Sequence, residues 1–216
     1  ALNALAWELR HTDVERSLAL SGEAQRLSTE GEFQSAPYWA GLGHSLRVRG
    51  RCYIQLSRYE DALNDLLEAQ SIFERAGDAP GQAVVIRILG WLHYQLGNYP
   101  DALECEITAL DLARRHGDRE TEAAALNIIG LVYSVMGDHE SALKRFRESM
   151  SIFRELGLRK GEADALDNIG RLQLELGHFV DALEYGHRGL SLYQEIGAVL
   201  AEAEARESLG KAYMAQ

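Results

Sequence analysis

The side chains best suited to acid–base or metal chemistry near neutral pH are the seven histidines, at positions 11, 44, 93, 116, 139, 178 and 187. His139 followed by Glu140 opens the helical motif by which zinc hydrolases hold a metal beside a general base, but that motif needs a second histidine at 143. Leu143 stands there, so the motif is broken. His139 and His178 fall instead at turns, where an aromatic or capping role is expected. GLGHSL, from Gly41, follows no strand, so it is not a dinucleotide fingerprint, and neither GxSxG nor the phosphate-loop pattern occurs. Carboxylate pairs such as Glu202 with Glu204 read as a solvated acidic helix face. No catalytic residue, metal site or cofactor is expected, and the chain reads as a non-enzyme.

Composition narrows the function further. The net charge of -11, from 33 acidic and 22 Lys plus Arg residues, argues against nucleic acid or an anionic membrane surface as partner, since both attract basic residues. Cys52 and Cys105 lie too far apart for a zinc site, and reduced thiols in a cytoplasm are the simple reading. No apolar run approaches the roughly 20 residues needed to span a bilayer. The first residues, ALNALAWELR, lack the sections of a signal peptide. The missing initiator methionine and the mid-pattern ending point to a segment of a longer protein.

The elements that must carry any site are set by a repeat. Gly50, Gly90, Gly130, Gly170 and Gly210 recur every 40 residues, and Ala-Leu returns in fixed phase at 62, 102, 142 and 182. Two further columns are Gly77, Gly117, Gly157 and Gly197, then Gly97, Gly137 and Gly177 with Ser57 as the one departure. Within a unit, Ile86, Leu89, Leu92 and Leu96, then Leu103, Ile107 and Leu110, fall at helical spacing, so each unit holds two helices. Gly97 suits the left-handed position past a helix end, and Asn98 can cap the next helix. Gly117 with Asp118 repeats the signal, and Pro80 after Asp78 fits a helix start. The links are a few residues long, so neighbours should run antiparallel. Gly130 and Ala142 then fall where the two helices of one hairpin cross, and small residues there permit close approach.

This skeleton resembles the tetratricopeptide repeat family. The family's short motif is matched by Leu89, Gly90, His93, Tyr99 and Ala102, by Ile129, Gly130, Tyr133, Ala142 and Phe146, and by Ile169, Gly170, Phe179 and Ala182. The period is similar to that of Pins-type, kinesin light-chain and bacterial regulator arrays, which in bacteria often precede an output domain such as a cyclase or histidine kinase. The resemblance implies an all-α fold, a right-handed α-solenoid of antiparallel helix-turn-helix repeats, about five with a final helix. The expected division of this single array is 1–37 as an irregular first repeat, then 38–78, 79–118, 119–158 and 159–198. Residues 199–216 would be a capping helix or a truncated sixth repeat. Ser17 and Leu18 align with Ala62 and Leu63 across 45 residues rather than 40, which places an insertion in GEFQSAP, residues 31–37. Departures from the pattern are His93 and Gln173 at an aromatic position, Glu106 and Gly186 at a large apolar one, and Arg49 at a leucine one.

In the resembled family the first helices of successive units line a concave face that binds extended peptides. Carrying those positions over gives a candidate peptide-binding set of Arg47, Arg51, Arg87, Trp91, Tyr94, Asn127, Leu131, Asp167, Asn168 and Arg171. Arg47 and Arg51 are one helical turn apart and Arg87 is one unit on, a spacing that could clamp a carboxylate or phosphate. Trp91 and Tyr94 would supply an apolar anchor. The family's chaperone-tail clamp, built of lysine and asparagine, is not reproduced. Two plainer readings stand beside this one: the charges solvate an open face, and Trp91 is core between helices.

The leading expectation is a protein-interaction or sensory module that binds a partner segment, within a larger bacterial signalling protein. Self-assembly through the last helix, with Leu200, Leu209 and Met214, is one alternative. A small-molecule sensor with a pocket around Trp91 and Tyr94 is another. The crossing itself is testable: Gly130→Leu should lower stability by about 1–3 kcal/mol through overpacking, read by thermal unfolding, and an unchanged transition contradicts a crossing at this residue.

Overall fold

In the computed structural model, residues 1–10, 13–30 and 39–215 are described. The insertion placed at residues 31–37 lies outside them. Eleven helices are present among the described residues: α1 (Leu2–Leu9), α2 (Val14–Glu30), α3 (Trp39–Gln55), α4 (Tyr59–Ala76), α5 (Ala79–Gln95), α6 (Tyr99–His116), α7 (Arg119–Val135), α8 (His139–Glu155), α9 (Arg159–Glu175), α10 (Phe179–Glu195) and α11 (Val199–Ala215). The fold is all-α, a run of helical hairpins, as the 40-residue spacing predicts.

Local chemistry explains where these helices start and stop. Asp78, Asp118 and Asp138 each accept a hydrogen bond from the backbone amide three residues on, at Gly81, Thr121 and Ser141, capping α5, α7 and α8. At the other ends the chain turns through the left-handed region at Gly77, Gly97, Gly117, Gly137, Gly157, Gly177 and Gly197. After α5, the Gly97 amide donates to the Tyr94 carbonyl and the Asn98 amide to that of His93, which satisfies carbonyls the helix would otherwise leave open. Ser57 occupies the equivalent turn after α3 with φ 57°, a conformation that a side chain disfavours.

The chain forms two compact units, residues 1–112 and 113–216. In the first, each helix from α1 to α5 packs on the next, and α1 and α5 both also touch α3. Its core holds Leu42, Leu46, Leu66, Phe73, Val85, Ile88, Leu89 and Leu92. A smaller cluster of Ala6, Val48 and Cys52 ties α1 to α3, and there the buried Ser17 hydroxyl donates to the Ala6 carbonyl at 2.7 Å. In the second unit, α7 to α11 pack in sequence, with α9 also touching α7 and α11. Ala142, Phe146, Ile169 and Leu172 form one core cluster, and Ala163, Tyr193 and Ala205 another.

The recurrent glycines are slots for the partner helix, and each slot is filled differently. A Cβ on Gly50 would lie 2.6 Å from Leu66, and one on Gly130 would lie 2.6 Å from the ring of Phe146. At Gly130 the space expected to face Ala142 therefore holds an aromatic ring four residues further along α8. At Gly170 the nearest atoms are backbone rather than side chain, with Ala182 O and Gly186 N both at 3.2 Å. Gly210 has no such neighbour within 4 Å among the described residues.

Slot 90 is filled by Glu106, whose side chain lies 2.6 Å from where a Gly90 Cβ would be. Glu106 is fully buried, and neither carboxyl oxygen has a hydrogen-bond partner among the described residues. Burial pushes its pKa well up, against a smaller opposing pull from Arg87. By contrast Arg49, the other polar intruder, is satisfied: its Nε and Nη2 reach the Asp65 carboxylate at 2.9 and 2.7 Å, and Nη1 donates to Gln25.

Two predictions follow from these irregularities. The folded state keeps the Glu106 proton that the unfolded chain gives up above the ordinary carboxylate range. Stability is therefore full below that range and falls as pH rises toward the raised folded-state value. Glu106→Leu, the residue type that fills slot 50, should remove this slope and raise stability at pH 7–8 by about 1–3 kcal/mol in chemical denaturation; an unchanged slope contradicts a neutral buried acid. Ser57→Gly should add about 1 kcal/mol by relieving the left-handed strain, read as a higher denaturation midpoint.

Candidate functional site

In the first unit, α3 and α5 present Arg47, Arg51, Arg87, Trp91 and Tyr94, all half-buried. Residues at i and i+4 of one helix share a face, which puts Arg47 with Arg51 on α3 and Arg87 with Trp91 on α5. Across the helices, the Arg51 guanidinium lies 5.9 Å from the Trp91 ring centre, and Trp91 stacks on Tyr94 at 5.4 Å and 18°. Tyr94 continues onto Tyr99 at 5.8 Å. Trp91 packs against the core on one side, so it is both a partly covered anchor and a core neighbour.

Two residues outside the repeat columns complete this surface. Trp7 of α1 lies beneath Arg47, whose guanidinium is 4.6 Å from the ring centre, and Arg10 covers the same indole at 3.8 Å. Sequence columns miss both, because they belong to the irregular first repeat and share no phase with the others. Their signal is compositional only: an aromatic and an arginine one turn apart on a short helix.

The electrostatics of this surface are one-sided. Burial, then the charges of Arg87 and Arg10, lower the pKa of Arg47 and of Arg51 to about 10. The Nε atoms of Arg47 and Arg87 are buried and have no hydrogen-bond partner among the described residues. Asp78 offsets Arg47 from a distance, but its carboxylate is engaged as the cap of α5. His44, one turn before Arg47 on α3, is held below its usual pKa by burial and by Arg47. Trp7, Gly41, His44 and Arg47, with Ala24, Leu27 and Ser28 of α2, line a cleft of about 620 Å³.

The second unit carries the remaining residues. Asn168 on α9 donates to Asn127 on α7 at 3.2 Å, so the two amides are joined to each other. Leu131 packs on the Phe146 cluster. Asp167 is raised in pKa by burial, against a downward pull from Arg171, with Asp164 and Glu204 adding to the rise, while Arg171 itself is exposed. Asp164 is engaged twice, by Lys160 at 2.9 Å and by the Tyr193 hydroxyl at 2.8 Å. This unit collects carboxylates where the first collects arginines.

The polar departures from the repeat pattern act locally. Gln173 donates to Asp181 at 3.2 Å and pairs with His178 at 3.1 Å, binding a helix to the following turn. Among the described residues no group of three histidine, cysteine or carboxylate side chains is placed to hold a metal, and no helix is long and apolar enough to cross a membrane.

Comparison with known proteins agrees with this architecture. No curated protein sequence matches the chain. Among solved structures, BtubC from P. vanneervenii superposes with a TM-score of 0.73 at 20% identity, over 94% of this chain and 84% of that one. A signal transduction ATPase with numerous domains from Pyrococcus horikoshii, which carries a tetratricopeptide repeat sensor, gives 0.74 at 19% identity. The match covers 99% of this chain but only 32% of that protein. Aspartyl phosphate phosphatase F from Bacillus subtilis gives 0.65 at 14% identity, over 99% of this chain and 58% of that one. At these identities the likeness is one of fold. The sequence pattern of the tetratricopeptide repeat matches residues 42–115 and 121–195. With most of its length matched and its hairpins capped and nested at the period the pattern requires, the chain belongs to the tetratricopeptide repeat family.

Proposed function

We propose that this chain is a protein-interaction module that holds a segment of a partner protein against the first helices of its repeats. The observation that carries the reading is the face of α3 and α5 in the first unit. Arg51, Trp91 and Tyr94 form a continuous half-buried cation–π and aromatic stack, beside the Nε atoms of Arg47 and Arg87, which have no acceptor among the described residues. Buried donors without acceptors cost stability unless a ligand satisfies them, and aromatic and arginine side chains dominate the energetics of protein interfaces. Arg47 and Arg87 would engage polar groups of the partner, and Trp91 with Tyr94 its apolar side chains. In the second unit, Asn127, Leu131, Asp167, Asn168 and Arg171 form a corresponding set on α7 and α9. There the joined amides would offer hydrogen bonds to an extended backbone.

The repeats 38–78, 79–118, 119–158 and 159–198 are the units of this array, and the chain carries no catalytic role. Fold likeness to a sensor portion of a signal transduction ATPase and to an aspartyl phosphate phosphatase supports a place within a larger bacterial signalling protein, in the cytoplasm. A second reading rests on α11, where Leu200 and Met214, with Val199 and Tyr213, are exposed, Met214 at 83%, while Leu209, expected on the same edge, is buried against Gly186. Such an apolar face could pair with a second copy. Light scattering at several concentrations decides it, since a strict monomer rules it out.

For the leading reading, a peptide selected by display against the intact chain should bind the Arg47→Ala, Trp91→Ala double variant at least about tenfold more weakly. Circular dichroism should show the helices retained. Unaltered affinity in a folded double variant moves the binding surface to another face.

A further inference from the structure

The arginine cluster of the first unit places Arg47, Arg51 and Arg87 close together, with no carboxylate bonded to Arg47 or Arg87 at Nε among the described residues. Two guanidinium groups, of Arg10 and Arg47, sit on one indole at 3.8 and 4.6 Å, and a third, of Arg51, lies on Trp91 at 5.9 Å. These rings orient the guanidinium planes without supplying an acceptor. Arg47 and Arg87 keep buried Nε donors that no acceptor among the described residues meets. Glu106, the acid that bears on Arg87, is packed in the Gly90 slot, where burial pushes its pKa well above the ordinary carboxylate value. Asp78 is committed to the cap of α5. A planar guanidinium is also the donor best matched to an oxyanion, since it presents two parallel N–H groups.

We propose that Arg47, Arg51 and Arg87 form a binding site for a doubly charged oxyanion, a phosphoryl group, with Trp7 and Trp91 as the rigid platforms that hold two of the three guanidinium groups in place. This rests on the reading of α3 and α5 as the binding face and names the chemistry that face selects. One carboxylate would leave most of the half-buried positive charge uncompensated, whereas a tetrahedral dianion offers three acceptor oxygens and two charges. The adjoining cleft, walled by Leu27, Ser28 and His44, leaves room for the rest of the molecule that bears the group. Whether that molecule is a phosphorylated protein side chain or a free phosphorylated metabolite, the recognising chemistry is the same.

Sodium sulfate tests the site directly, because it stays a dianion across the working pH range. Titrated into the intact chain against sodium chloride at equal ionic strength, sulfate should produce a saturable change in tryptophan fluorescence that chloride does not. In an Arg47→Gln, Arg87→Gln variant the sulfate response should weaken at least about tenfold, with helix content retained; Arg51→Gln provides a second, independent variant. A phosphoserine peptide that binds tighter than free phosphoserine supports a protein-borne group, and equal binding supports a free metabolite. Sulfate no more effective than chloride, or a sulfate response that survives in both folded variants, overturns the proposal. Because no peptide is present in this titration, its failure leaves the partner-segment reading to the Trp91 experiment.

Discussion

The structure depends on one steric requirement: the two helices of each hairpin must come close enough to share a core, and they do so only where one of them has no side chain. A glycine at that position costs roughly 1 kcal/mol against alanine in an isolated helix. It returns a slot into which the facing helix inserts a side chain, and dense interdigitation of this kind is what a row of hairpins needs for a continuous core. Leu66, Glu106 and Phe146 fill successive slots, so the same backbone solution accepts an aliphatic, a buried acid or an aromatic ring. The fourth accepts almost nothing: at Gly170 the facing position is Gly186 and the backbones themselves meet.

The slot determines what the first helices have left for recognition. Because the glycine face of α5 is committed to α6, the residues three before and one after Gly90, Arg87 and Trp91, emerge toward α3 and the surface beside it. Tyr94 lies about one turn after Trp91 and stacks on it. Hairpin packing and the arginine–aromatic surface thus occupy different faces of one helix. Glu106 links the two faces. It is fully buried behind Arg87, and burial pushes its pKa well up against the opposing pull of that guanidinium.

Electrostatics also separates the two units. The first gathers Arg10, Arg47, Arg51 and Arg87, and the depressed pKa of two of them records their mutual repulsion together with burial. The second gathers Asp164, Asp167 and Glu204, with Asp167 raised in the opposite sense by burial and the same kind of crowding. Ion pairs that recur at the repeat period, Arg114 with Glu122 at 2.9 Å and Arg154 with Glu162 at 2.7 Å, belong to helix junctions of the second unit and leave its carboxylate cluster untouched. The net charge of -11 therefore hides a local excess of positive charge, and bulk composition is a poor guide to what each face attracts.

Helix number, helix ends and the absence of a catalytic motif were legible in the residues alone, because each depends on neighbours a few positions away. Glycine at a left-handed turn, aspartate three residues before an open amide, and apolar residues at helical spacing act through local geometry that any 40-residue unit repeats. The repeat columns also placed Arg47, Arg51, Arg87, Trp91 and Tyr94 on the first helices, since a fixed phase assigns a face, and the structure brings Arg51, Trp91 and Tyr94 together there. Three matters were decided only by tertiary structure. Phe146 rather than Ala142 covers Gly130, because the reach of an aromatic side chain decides which residue fills a slot. Asn127 and Asn168 bond to each other, because two amides on adjacent helices come within 3.2 Å only after the helices dock. Trp7 and Arg10 join the arginine face although no column contains them; spatial adjacency between α1 and α3 comes from packing across the irregular first repeat, and a periodic sequence carries no information where its period breaks.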